Sequence, residues 1–220
     1  MPKGYWIPQI DISNPEGYKA YMAATPPAHE KYHGVALVRG GKMDVVEGRA
    51  RGRCVLREFP DFATALACYR SDEYQRAKPL RLSHSICDFI IVEGYDGPQP
   101  ASPSPPPPAG KQGYWIVQVD VPDADAYKPY LVANQAPFGK FGARYLVRGG
   151  RCDVMEGRAR DRIVVLEFPS FEAALACYRS PEYQAAKKLR DGKAEADVIV
   201  TEGRRRAVLE GERHSLVLLA

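Results

Sequence analysis

The sequence predicts an α+β fold: two ferredoxin-like βαββαβ repeats packed sheet against sheet within one chain. Three observations predict it. Residues 4–94, slid by 109 positions, lie on residues 113–203 without a gap. Roughly half of about 90 aligned positions are identical, so one domain is duplicated. Within each copy the strand and helix signals follow the βαββαβ order. Finally, segments such as residues 89–92 (FIIV) are apolar on both faces. Helices cover one face of such a strand, so a second sheet must cover the other, and the second copy supplies it.

Each element has a local cause. Residues 5–12, YWIPQIDI, are rich in aromatic and β-branched types and read as a strand. Asn14-Pro15-Glu16 opens a helix, with Asn as cap, Pro in the first turn and Glu at the positive end. Tyr18, Tyr21 and Met22 fall at i, i+3 and i+4 on its packed face. Residues 35–39, Gly40-Gly41 and residues 43–47 read as a hairpin, because paired glycines supply the positive φ of a tight turn. Residues 53–59 form a further strand ended by Pro60. Asp61 caps a helix over 62–69, Ser71 restarts a helical run to Lys78, and residues 87–93 close the unit. The second copy repeats the plan.

The boundaries expected are 1–95 for the first repeat, 96–112 for a linker, 113–203 for the second repeat and 204–220 for a tail. The linker, DGPQPASPSPPPPAGKQ, has seven prolines and no apolar face to dock. It favours extended polyproline II and at ~3.1 Å per residue lets the halves choose their packing. In the tail, residues 215–219 read as a frayed end or as a strand that docks on a sheet edge.

Composition narrows the function classes. The apolar share is 45 % and the charged share 26 %, which is globular. No apolar run is long enough for a membrane helix and no hydrophobic leader opens the chain, so no membrane association is expected. Of the net charge of +4, half belongs to the tail, and no basic stripe or stacking motif accompanies it, so nucleic acid is not an expected partner. Five cysteines without a Cys-x-x-Cys pair read as reduced thiols of a cytoplasmic protein. No spacing suits a metal, and Arg39-Gly40-Gly41-Lys42 lacks the spacing of a phosphate loop.

The segments GYWI through LVRGG, EFPxFxxALACYRSxEY and the closing DxIxxEG resemble the domain of unknown function family numbered 1330, of the dimeric α+β barrel superfamily. The resemblance spans each repeat end to end. It implies a barrel built from two ferredoxin-like sheets, normally from two chains and here from two repeats, an intramolecular pseudo-dimer open to further oligomerisation. It also implies a superfamily of cofactor-free monooxygenases, polyketide cyclases, muconolactone-type isomerases and haem-degrading enzymes. The fold is thereby implied and the chemistry left open.

Candidate residues follow from chemistry. Histidines occur in the first repeat only: His29 and His33 align with Phe138 and Gly142, and His84 with Lys193. His29, where the first helix breaks, is a candidate general base or a solvated loop residue. Arg39 and Arg148 can hold a substrate carboxylate, or pair with Glu58 and Glu167 in the barrel seam. Tyr21, Tyr69, Tyr130 and Tyr178 can offer phenol donors or simply pack. Asp11 shares a strand face with Gln9, where it lines a polar cavity or an edge. The expectation is a small-molecule-binding protein, with His29, Tyr21 and Arg39 as a cofactor-free acid–base set acting on a small organic acid or aromatic. Asp11, Glu58, Tyr69, Tyr130, Arg148, Glu167 and Tyr178 are the expected ligand contacts. A binding or oligomerising module without turnover is the alternative. Haem would require His29 or His33 as its axial ligand.

Overall fold

The computed structural model of the chain describes residues 1–102 and 110–205. The tail strand expected at 215–219, together with His214, lies outside them. The first repeat consists of β1 (Gly4–Ile12), α1 (Pro15–Ala24), α2 (Pro26–Lys31), β2 (Val35–Arg39), β3 (Met43–Glu47), β4 (Arg53–Phe59), α3 (Phe62–Arg70), α4 (Asp72–Ala77), α5 (Pro79–Leu82) and β5 (Ser85–Glu93). The second consists of β6 (Lys111–Asp120), α6 (Ala124–Ala133), α7 (Gln135–Lys140), β7 (Arg144–Arg148), β8 (Cys152–Glu156), β9 (Arg162–Phe168), α8 (Phe171–Arg179), α9 (Pro181–Lys188) and β10 (Glu195–Arg205). The caps act as read from sequence: Asn14 accepts from the Gly17 amide, Asp61 from Thr64 and Ser71 from Tyr74.

Two five-stranded antiparallel sheets have the orders β2-β4-β1-β5-β8 and β3-β10-β6-β9-β7. The four home strands of each sheet follow the ferredoxin-like order. The fifth comes from the other repeat, which corrects the hairpin expected at Gly40-Gly41. Those glycines do take positive φ, +74° and +117°, yet β2 and β3 part company there. β3 pairs with β10 and β8 pairs with β5. A strand leaving a turn must satisfy its backbone groups, and the edge of the facing sheet offers an equivalent ladder. Each repeat therefore lends one strand to its partner.

The alternating faces of β1 sort the core. Tyr5 and Ile7 point between the sheets, where they meet Leu56, Ile90, Tyr114 and Ile116. Trp6 and Ile10 point to the helices and pack with Tyr18, Phe62 and Tyr74. Phe89 and Ile91 face the helices while Ile90 and Val92 face the other sheet, as the two-faced apolar run requires.

Charged locks hold the lent strands. Glu156 on β8 accepts from Arg81 Nη2 (2.5 Å) and from Tyr69 Oη (2.7 Å) of the first repeat. Glu47 on β3 accepts from Arg190 Nη2 (2.5 Å) of the second. Gly48 and Gly157 follow at positive φ, and a Cβ at either would stand 2.1 Å from the carboxylate of Asp197 or Asp88. Only glycine lets the crossing chain approach those aspartates so closely.

The start of the linker is docked, which corrects the expectation of a segment with nothing to dock. The Tyr95 amide donates to the Leu146 carbonyl (2.9 Å), Gln99 exchanges two hydrogen bonds with the Tyr145 backbone, and Pro100 is buried. These contacts cover the outer edge of β7. Because the lent strands and their ion pairs hold the halves together, severing the chain between residues 102 and 110 should leave two fragments that co-elute on gel filtration. Separation of the fragments would mean that the covalent tether holds the halves together.

Candidate functional site

Arg39 ends β2, the outermost strand of its sheet with Gly203 at the end of β10 beside it, and lies opposite Val55 in register. Arg57 follows two residues along β4 and so shares that helix-facing side. Thr25 ends α1 and begins α2. This carries His29 over Trp6, edge to face, with ring centroids 5.6 Å apart. His29 thus sits in a short helix on an aromatic floor, not in a solvated loop.

These residues border two neighbouring spaces that have Thr25, His29, Arg39 and Arg57 in common. A cleft of about 910 Å³ runs along the β2 edge to β7, and His29, Arg39, Arg57, Glu58, Arg144 and Arg204 are among its walls. Beneath it a chamber of about 60 Å³ is lined by Trp6, Tyr18, Tyr21, Met22 and Phe89, with His29, Arg39 and Arg57 again on its rim. The structure therefore brings His29, Tyr21 and Arg39 to one place.

The electrostatics of this place are unusual. Arg57 donates to the Gly34 carbonyl (2.7 Å). Burial first, then the neighbouring Arg39, push its guanidinium down to about 10, with Arg204 adding to the repulsion. Among the described residues no carboxylate comes within 4.0 Å of a guanidinium nitrogen of Arg39, Arg57 or Arg204. His29 is pushed down to about 3 by burial, then by Arg57 and Arg39, so its imidazole is neutral at pH 7. Burial raises the Tyr21 phenol, which stays protonated and shares a 3.1 Å hydrogen bond with Tyr74 Oη.

The lowered histidine has a consequence for stability. Its folded value lies below the unfolded value of about 6.5, so between the two the unfolded chain binds the extra proton. Stability should fall as pH drops from about 6.5 toward 3. The His29→Phe variant, which copies Phe138, should fold and lack that part of the acid slope in urea titrations. A His29 ring titrating near 6.5 by NMR would refute the assignment.

The other candidates sit elsewhere. Glu58 lines the cleft, accepting from Tyr5 Oη (3.1 Å) with Lys3 at 3.9 Å. Glu167 accepts from Arg144 Nη2 (2.6 Å) and Tyr114 Oη (3.0 Å). The seam pairs foreseen for Arg39 and Arg148 thus go to other donors. Arg148 lies over the Tyr145 ring, 4.6 Å from its centroid, and reaches Tyr95 Oη. Tyr69 and Tyr178 hold the lent strands, at Glu156 and at the Val46 carbonyl. Tyr130 is buried against Tyr183 Oη (3.1 Å). Asp11 lies at the opposite barrel mouth, in a polar cleft of about 690 Å³. There the Gly52 amide (2.7 Å) and Arg51 (2.8 Å) hold its carboxyl below the usual range. Arg160 repeats the pattern with Asp120 and Asp197.

The second repeat fills the equivalent of the first-half chamber. Phe138 takes the place of His29 and packs on Trp115 (5.5 Å) and Tyr183 (5.9 Å). Leu166 replaces Arg57 and Tyr145 replaces Ala36, all within one apolar cluster. The site residues that sequence reading passed over are Arg57, Arg144 and Arg204. Each stands where the other copy has Leu166, Val35 or Tyr95, so a difference in charge between the copies was the available signal.

Comparisons with known proteins bear on the fold. The family described as "Domain of unknown function (DUF1330)" matches at residues 3–95 and again at 112–204. No curated protein matches the chain. A solved anthrone oxidase-like protein is similar at a TM-score of 0.52 and 11 % identity, covering 94 % of each chain. A chlorite dismutase-like protein is similar at 0.51 and 8 %, covering 94 % of this chain and 96 % of its own. A protein of unknown function from Rhodopseudomonas palustris is 22 % identical over 42 % of this chain and 81 % of its own, at a TM-score of 0.32. At these identities the two full-length likenesses show the dimeric α+β barrel fold alone. Of the two histidines named as axial ligands for a haem, His29 borders both the cleft and the chamber, whereas His33 lines neither and is exposed at φ +54°. No helix of the described residues is long and apolar enough to cross a membrane.

Proposed function

The chain belongs to the DUF1330 family, carrying its domain twice in tandem, and on that premise we propose that it binds a small organic anion in the first-half cleft. The observation that carries this reading is Arg57: a half-buried guanidinium beside Arg39, pushed down to about 10 and without a carboxylate partner among the described residues. Buried arginines are ordinarily paired. A carboxylate placed between Arg39 and Arg57 offsets their repulsion and accepts forked hydrogen bonds.

The same anion readies the base. His29 is held neutral by burial and by the two guanidinium charges, and a bound carboxylate cancels part of that field, raising the basicity of the imidazole only when the ligand is present. His29 can then take a proton from a ligand atom beside it and return it at another, with the Tyr21 phenol as a neutral hydrogen-bond donor in the same chamber. This is an isomerase-like use of the fold without net change in protons. Calorimetry with a panel of small carboxylates tests the binding. Arg39→Ala should weaken binding by about tenfold or more, as loss of a charged hydrogen bond does, while Arg148→Ala leaves it unchanged. Equal losses in both variants would point to two equivalent pockets and overturn the asymmetric reading. Turnover lost in His29→Phe with binding retained would support the acid–base role, and turnover retained would refute it.

A further inference from the structure

The cleft and the chamber differ in chemistry, and they share one wall. Thr25, His29, Arg39 and Arg57 border both spaces. Outward of that wall stands Arg204, at the end of β10 and contributed by the second repeat, whose charge acts on Arg57. Inward lie Trp6, Tyr18, Met22, Val55 and Phe89. Building on the anion site argued above, we propose that the ligand is an amphiphilic small acid, its anionic head on Arg39, Arg57 and Arg204 and a short apolar tail in the chamber over Trp6.

Three features support this arrangement. The head group meets three guanidinium groups from both repeats, so the site is complete only in the tandem chain. The tail meets the apolar side chains of Trp6, Met22, Val55 and Phe89, while Tyr18, Tyr21 and Arg53 bring polar groups to the same chamber, the mixed make-up of a small-molecule pocket. The chamber limits the tail: a water needs roughly 10–15 Å³ of such space, so about 60 Å³ takes only a few heavy atoms. His29 stands at the junction, beside the atoms that join head to tail. The second repeat cannot host this ligand, because Phe138 and Leu166 occupy the corresponding space.

The two tryptophans provide an internal control. Trp6 Nε1 donates to the Ala65 carbonyl (2.9 Å), and Trp115 Nε1 donates to that of Ala174 (3.0 Å), so their indole N–H signals start from matching environments. The full chain is titrated with acetate, butyrate, octanoate and butylamine, with both indole signals followed by NMR. Butyrate should bind roughly tenfold more tightly than acetate, from two more buried methylenes, and should shift Trp6 while leaving Trp115 in place. Octanoate should gain nothing over butyrate, and butylamine should not bind. Arg204→Ala should weaken both acids alike. Met22→Phe, which narrows the chamber, should abolish the preference for butyrate while acetate still binds. Acids that bind without a chain-length preference or a Trp6 shift would overturn the two-compartment ligand and leave the anion site standing. Failure of every acid to bind would overturn the anion site itself.

Discussion

Replacing Glu156 by alanine should cost the protein about 3–5 kcal/mol, the loss expected when one partner of a buried ion pair is removed. Arg81 is 1 % exposed, and Glu156 is its carboxylate partner at 2.5 Å, with Lys78 Nζ at 3.6 Å from the same oxygen. Without Glu156 the guanidinium stays charged among Tyr21, Tyr74 and Cys87 with no anion to meet it. Because Glu156 sits on a strand lent by the second repeat, the damage should be largest there. Hydrogen exchange at residues 152–156 should accelerate before the rest of the first sheet opens. For a chain of this size the midpoint of thermal unfolding should drop by roughly 10 °C. Glu47→Ala should repeat the effect through Arg190. The double variant Arg81→Met/Glu156→Leu should recover most of the loss, since an apolar pair removes the unmet charge. A loss under about 1 kcal/mol in Glu156→Ala, the size typical of solvated surface pairs, would show that water reaches this pair.

Replacing Arg57 by leucine should move stability and binding in opposite directions. Leu166 holds this position in the second repeat and is 1 % exposed there, so the fold accepts leucine. Removing a guanidinium that burial and Arg39 both disfavour should raise stability by about 1 kcal/mol, the gain common when a functional residue gives way to a structural one. Affinity for a small carboxylate should fall by roughly 10–100-fold, the value of charged hydrogen bonds in a half-buried site. Urea denaturation and calorimetry on the same preparation read both quantities. A variant that is destabilised and binds normally would make Arg57 a structural residue held by the Gly34 carbonyl.

The candidate site was only partly legible in the sequence. His29 stood out because Phe138 replaces it, and Arg39 and Tyr21 because their chemistry suits an acid–base pocket. Arg57 did not stand out, since attention to polar residues shared by both copies passes over a position where the copies differ. Arg204 lies just beyond the aligned repeat and joins the site only because β10 ends beside the β2 edge. Asp11 and Glu167 carry suitable groups, but the aspartate is committed to Arg51 at the far mouth and the glutamate to Arg144 and Tyr114. Whether a charged group is free or paired depends on neighbours distant in sequence.

Local chemistry alone determined the duplication, the order of strands and helices, and the caps at Asn14, Asp61 and Ser71. These depend on repeat identity, side-chain period and residues within one turn of each other, so they are written in neighbouring positions. Only the tertiary structure decided where β3 and β8 pair, because a backbone edge accepts any strand of suitable direction and the sheet faces of two similar repeats are nearly interchangeable. It alone decided that His29 is neutral and that four arginines share one cleft, because desolvation and like-charge repulsion depend on burial and on distances between side chains far apart in the chain.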